Sequence, residues 1–252
     1  TPFPYTTLFR SADLIPTSRT ATCVGYITLG NRKFWCWQHS GHGTVGLTQA
    51  LARSCNIFFY RLGQDLGPER MEAYLRKIQY DQKTRIDLPG DIKGTIPKVA
   101  EFGKRWYGGD TLNMAIGQGY IAVTPLEVCR FYAALANGGT LPVPHVVNSI
   151  RRPGQQAEQL TFPEGVAMAF PEEDLRRVRQ GVWEGVQGSS GTGRGVKLPG
   201  IEFAGKTGTA QDPPGIPHAW FCSWAPFDTP QYVTTVLIER GEIGRASCRE
   251  RV

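Results

Sequence analysis

The sequence predicts an α+β fold in which helices come first and an antiparallel sheet closes the chain. Three observations carry that expectation. Apolar residues recur at helical spacing through residues 44–79, and again at 124–137 and 171–186. The strand-like runs gather after residue 200 instead of alternating with the helices, which argues against βαβ units. Finally, 252 residues with 40% hydrophobic and 20% charged content describe an ordinary globular chain able to bury a substantial core.

The elements follow in order. Across 44–66, Leu47, Leu51, Phe58 and Leu62 share one helical face, and Gly63 and Gly67 lie near its end. Pro68 suits a first helical position and opens a helix to about Gln79, with Met71, Tyr74, Leu75 and Ile78 on one face. Residues 80–109 are rich in Gly, Pro and charge and read as a long surface excursion, the kind that marks a functional loop or capping subdomain. Thr124-Pro125-Leu126-Glu127 is the clearest helix start: Thr124 caps, Pro125 takes the first position and Glu127 completes a capping box. That helix ends at Asn137-Gly138-Gly139. Another runs from Pro171 to about Val186, turning Leu175, Val178, Val182 and Val186 inward. Ile201–Phe203 then reads as strand, and Ala219–Ala225 with Tyr232–Glu239 as a hairpin around Pro226-Phe227-Asp228.

Thr1–Ser11 and Glu242–Val252 carry no amphipathic period and resemble translated adapter sequence. The expected organisation is therefore a non-native end at 1–11, a partial domain at 12–241 and a non-native end at 242–252. No apolar run is long enough to span a membrane. The net charge of +6 is spread along the chain, so pairs such as Arg151-Arg152 and Arg176-Arg177 read as solvated faces and no nucleic-acid partner is expected.

Two segments carry chemistry: Lys206-Thr207-Gly208-Thr209 and Ser54-Cys55-Asn56. Acyl transfer from a peptide with a free carboxylate needs a nucleophile, a proton route, an oxyanion hole and a cation. Lys206 is read as a fixed positive charge for the carboxylate, with the Thr207 and Thr209 hydroxyls beside it. The Thr209 N–H would face the oxyanion, and Gly208 leaves room for substrate at the strand edge. Substrate would pair there as an added strand. Ser54 would share a proton relay with Lys206, and Asn56 would hold a substrate amide. Both reach one cleft only if the helix breaks at the motif. No serine in the sequence is followed by lysine three positions later, so a Ser-x-x-Lys nucleophile is not among these residues.

Cys23, Cys36, His42 and Cys55 fall within 33 residues with spacings C-x12-C-x5-H-x12-C. Three thiolates and an imidazole make a complete tetrahedral set for structural zinc. A Cys23–Cys36 disulfide, or isolated buried thiols, are the alternatives. Cys129 and Cys222 read as core residues. Phe34, Trp35 and Trp37 read as a local mini-core in preference to a glycan platform, and His218 as structural. Gly188–Gly195 lacks the order of a phosphate loop and reads as a flexible turn beside the site.

The flanks sharpen the pattern. Gly41-His42-Gly43, Ser54-Cys55-Asn56-Ile57-Phe58-Phe59-Tyr60, Ile116-Gly117-Gln118-Gly119-Tyr120 before Thr124-Pro125-Leu126-Glu127, Phe203 through Gln211, and His218-Ala219-Trp220-Phe221 resemble the transpeptidase domain of class B penicillin-binding proteins. The elongation subgroup, penicillin-binding protein 2, is the most similar, over about Ala12 to Gly241. The resemblance implies the penicillin-binding/serine β-lactamase-like transpeptidase fold, incomplete here. It also implies D,D-transpeptidation of stem peptides ending in D-Ala-D-Ala, acylation by β-lactams, and catalysis without a cofactor. A SEDS-family glycosyltransferase partner and the outer face of a bacterial cytoplasmic membrane are implied as well. Ser54, Asn56, Lys206, Thr207 and Thr209 fall on the family's motif positions, with Gly208 as a packing requirement. The nucleophile, pedestal and anchor are expected before Ala12, so the fragment alone is expected to be inactive. The rival readings are a non-catalytic β-lactam-sensing or degenerate module, and a class D-like β-lactamase, for which no water-activating base is evident.

Overall fold

The computed structural model describes residues 18–211 and 215–241. The two ends expected to be non-native lie outside the described residues. The described chain opens with two nested hairpins. β1 (Thr20–Cys23) pairs antiparallel with β4 (Gly43–Gly46), placing Cys23 opposite Gly43. Between them, β2 (Tyr26–Leu29) pairs with β3 (Arg32–Trp35). Strands of four residues give too short an alternation to announce themselves in the sequence.

The single helix expected over 44–66 is two helices, α1 (Leu47–Ala52) and α2 (Asn56–Leu66). The break falls at Arg53–Cys55, where Ser54 adopts a φ of +52°. Leu51 and Phe58 stay in phase across it, because seven residues is close to two helical turns; both are buried in the core. α3 (Pro68–Lys77) begins with proline at its first turn, as expected. The excursion that follows holds the short α4 (Val99–Phe102) and leads into an unexpected helix, α5 (Gly108–Ala115). Two glycines weaken that helix's propensity. Asp110 compensates by accepting the Tyr107 N–H at 2.9 Å.

α6 (Pro125–Ala136) starts as its sequence predicts. Thr124 Oγ1 accepts from the Glu127 N–H at 3.1 Å, and Glu127 accepts from the Thr124 N–H at 2.7 Å. The second Glu127 oxygen also accepts the Gly94 N–H at 2.7 Å, tying the excursion to this helix start. Two-residue strands β5 (Thr140–Leu141), β6 (Ser149–Ile150), β7 (Glu158–Gln159) and β8 (Val166–Ala167) lead to α7 (Glu172–Gln187).

The chain closes in a three-stranded antiparallel sheet of β9 (Ala204–Ala210), β10 (His218–Ala225) and β11 (Tyr232–Ile238), in the order β11-β10-β9. β9 lies at one edge of this sheet among the described residues. α6 packs against β10 and β11, while α7 packs against β9 and α1. α7 comes close because of its glycines: a Cβ at Gly185 would stand 2.9 Å from the Gly205 carbonyl oxygen. Trp224, Tyr132, Phe58, Phe59 and Leu51 are among the largest buried side chains, each contributing roughly 1.5–3 kcal/mol or more by burial. This packing places the α1–α2 break against β9.

Candidate active site

Lys206 lies on β9, and its side chain enters the interior with 2% exposure. Burial is the main cause that lowers its pKa from 10.5 to about 7, because the charged form loses hydration that two neutral acceptors do not fully replace. The sequence reading gave this residue a fixed charge. The structure gives a buried amine that titrates near neutrality. Its Nζ donates to Ser54 Oγ and, at 2.9 Å, to the Thr207 carbonyl.

Ser54 reaches this position because of the helix break. Inside a continuous helix its neighbours would have been the preceding turn; with φ at +52° it faces β9 instead. Ser54 Oγ lies 3.2 Å from Thr192 Oγ1, which lies 2.9 Å from Thr207 Oγ1. Amine and three hydroxyls thus form one hydrogen-bonded chain from the interior to the strand. Thr192 was not singled out in the sequence, although its turn was expected beside the site. The turn is held by the Thr192 N–H donating to Ala52 O at 3.1 Å and the Gly193 N–H to Gly185 O at 2.8 Å.

The free edge of β9 has a second occupant. Gln118 Nε2 donates to the Thr209 carbonyl at 2.5 Å, and its Oε1 accepts the Gln211 N–H at 3.1 Å. Because one residue's N–H and C=O point to the same side of a strand, the Thr209 N–H shares this edge.

Cys23, Cys36, His42 and Cys55 converge behind the motif. All four are buried, and their ligand atoms lie within 4.8 Å of one another. Cys36 Sγ is 3.4 Å and Cys23 Sγ 3.6 Å from His42 Nδ1. A zinc tetrahedron with bonds of about 2.1–2.3 Å has edges of roughly 3.5–3.8 Å, so the set fits with little movement. The three cysteines are free thiols, with no Cys23–Cys36 disulfide. The Cys55 thiol donates to Cys36, which pushes the Cys36 pKa down to about 5 and raises that of Cys55. Burial lowers the His42 pKa, favouring the neutral imidazole that a metal requires. The Arg53 guanidinium donates to His42 O at 3.1 Å, and the Trp37 indole donates to Arg53 O at 3.0 Å, so this cluster braces the residue preceding Ser54.

The family model for the penicillin-binding protein transpeptidase domain matches residues 10–251. The chain belongs to the penicillin-binding protein transpeptidase family. Its relatives include the peptidoglycan D,D-transpeptidase MrdA of Acinetobacter baumannii, 32% identical over 89% of this chain and 36% of that protein. A solved penicillin-binding protein 2 from Pseudomonas aeruginosa superposes with a TM-score of 0.83 and 30% identity, over 95% of this chain and 55% of that one. Another similar structure, described as structural coordination of polymerization and crosslinking by a peptidoglycan synthase complex, has a TM-score of 0.76 and 29% identity, over 96% of this chain and 43% of that one. The fold is thus that of the penicillin-binding transpeptidase domain. The chain spans 36–41% of the length of the curated relatives MrdA from A. baumannii, Haemophilus influenzae and Escherichia coli.

Of the motif residues, Ser54, Lys206 and Thr207 come together, and Thr209 lies further along the same strand. Gly208 sits between them, half-buried and opposite Trp220 in register. Asn56 lies on the hairpin side of the break, where its Nδ2 donates to Trp35 O at 3.2 Å. As the first residue of α2 it stands two positions past Ser54, and the hairpin backbone is the acceptor it meets. The aromatic mini-core is only half realised. Phe34 packs edge-on against Tyr60, whereas Trp35 and Trp37 remain 46% and 55% exposed. His218 accepts the Arg240 N–H at 3.0 Å. Cys222 is buried and Cys129 partly buried.

Proposed function

We propose that this chain is the substrate-holding and proton-relay part of a peptidoglycan D,D-transpeptidase of the elongation type. The observation that carries the reading is the buried contact of the Lys206 amine with Ser54 Oγ, which joins the strand motif to the helix-break motif. A general acid–base group works best with a pKa near the operating pH, and Lys206 is held at about 7.

In this reading the nucleophilic serine comes from a Ser-x-x-Lys segment of the parent protein. Its Oγ attacks the carbonyl carbon of the penultimate D-alanine, and the bond to the terminal D-alanine nitrogen breaks. The serine proton leaves on that amine through the Lys206–Ser54 pair. An amine of a neighbouring stem peptide then takes the acyl group and returns a proton to the serine. The Thr209 N–H faces the oxyanion, and the Thr207 hydroxyl, held by Thr192, receives the substrate carboxylate. Asn56 would turn from Trp35 to a substrate amide. β-Lactams acylate the same serine as the lactam C–N bond opens.

Zinc is the structural ion proposed for Cys23, Cys36, His42 and Cys55. It would brace the hairpins against the α1–α2 break and takes no part in the reaction. The parent would act on the outer face of a bacterial cytoplasmic membrane beside a SEDS-family glycosyltransferase, in keeping with the similar structure from a peptidoglycan synthase complex. No described helix is long and apolar enough to cross a membrane. The native segment is proposed as residues 12–241; the family match runs to residue 251, so flanking genomic sequence decides where the native chain ends.

Labelled penicillin tests the function. The full-length protein should form a covalent adduct, lose it when the Ser-x-x-Lys serine becomes alanine, and form it far more slowly as Ser54→Ala. The 252-residue chain alone should form none. An unreactive full-length protein would favour the non-catalytic module.

A further inference from the structure

The Gln118 carboxamide is a protein group bound where an added strand would bind. Its Nε2 donates to Thr209 O and its Oε1 accepts from the Gln211 N–H. One residue of a parallel strand would make the same pair of bonds, to the carbonyl and the N–H that flank Ala210. The placement is enforced. Gln118 stands between two glycines with φ of +78° and +81°, and its own N–H donates to Asn113 O at 2.9 Å at the end of α5. Lys206 takes the Thr207 carbonyl. The free edge of β9 therefore has its acceptors covered at Thr207 and Thr209 and its donor covered at Gln211, while the Thr209 N–H lies between.

We propose that Gln118 is a specificity-determining residue that masks the Thr209–Gln211 edge, so that a ligand needing the Thr209 carbonyl must displace its carboxamide. A ligand that uses only the Thr209 N–H binds without that displacement. The substrate class concerned is an acyl group bearing an adjacent amide N–H, as in a peptide or an acylamino β-lactam. A β-lactam with a hydroxyethyl group in that place makes no such demand. This inference rests on the transpeptidase reading for the ligand class, and on the structure alone for the masking.

Two readouts test it separately. Amide hydrogen exchange at Gln211, measured on this chain, needs no activity. Gln118→Ala should speed exchange there by about 10-fold, the worth of roughly one hydrogen bond, whereas Gln118→Glu keeps an acceptor and should preserve protection. Unchanged exchange in Gln118→Ala would overturn the masking. Acylation of the full-length protein is the second readout. Both variants lose the donor to Thr209 O, so both should be acylated about 5-fold faster by an acylamino β-lactam, with the hydroxyethyl compound unchanged. Equal shifts for both compounds, or slower acylamino acylation, would overturn the specificity role. A full-length protein acylated by neither would sink the transpeptidase reading, and exchange at Gln211 would still decide the masking.

Discussion

Lys206 and Ser54 stand 152 residues apart in sequence and meet amine to hydroxyl inside the protein. The burial of that amine makes stability depend on pH in a defined direction. The unfolded lysine keeps its proton to about pH 10.5, and the folded one releases it at about 7. In the window between, the unfolded chain binds one more proton than the folded chain, so stability rises with pH; below about 7 this contribution is flat. Lys206→Met removes the effect. In urea denaturation, the stability of the native protein relative to Lys206→Met should rise by about 1.4 kcal/mol per pH unit within that window. A flat difference would show that folded Lys206 keeps its charge.

Ser54 combines a functional side chain with an unfavourable backbone. A φ of +52° suits glycine better than serine or alanine. Ser54→Gly and Ser54→Ala both delete the hydroxyl, but only glycine relaxes the backbone. We expect Ser54→Gly to be about 1 kcal/mol more stable than Ser54→Ala, with both equally deficient in penicillin acylation of the full-length protein. Equal stabilities would mean the break carries no strain.

What the sequence showed and what it hid follow from the range of the interactions. The start of α6 was legible because Thr124, Pro125 and Glu127 act on one another within a single turn. The apolar pattern hid the α1–α2 break because Leu51 and Phe58 keep helical phase across it; only the motif chemistry asked for a break there, and the Ser54 dihedral has no signature in a serine. α5 was missed because its two leading glycines read as loop. Lys206 was recognised by motif, yet its altered charge arises from burial, which no local pattern encodes. Thr192 and Gln118 were invisible as site residues for a related reason. Their partners are Ser54, 138 residues away, and Thr209, 91 residues away.

The Cys23–Cys36–His42–Cys55 cluster makes a quantitative claim on metal content. Purified protein should contain about one zinc per chain, as a three-sulfur, one-nitrogen site is complete with four ligands. Chelation should lower the melting temperature, and Cys36→Ser should abolish both the zinc and the chelator effect. Cys129→Ser, on α6 and outside the cluster, should change neither. Elemental analysis checks this, and protein that stays metal-free after refolding with added zinc would leave the cluster as packed thiols.

Thr192 gives the sharpest test of the hydroxyl chain. Its Oγ1 is the only link described between Ser54 Oγ and Thr207 Oγ1, at 3.2 and 2.9 Å. Thr192→Val keeps the shape and deletes the polar atom, so the turn should remain, held by its backbone bonds to Ala52 and Gly185. Stability should fall by about 1 kcal/mol for the lost hydrogen bonds. Acylation of the full-length protein should fall by about 10-fold or more if the chain carries or orients the proton. Thr192→Ser restores the hydroxyl without the methyl group and should recover most of the rate. Loss of stability without loss of rate would reduce Thr192 to a structural strut. Loss of rate that serine does not rescue would place the defect in the lost methyl group, because the hydroxyl would then be present and ineffective.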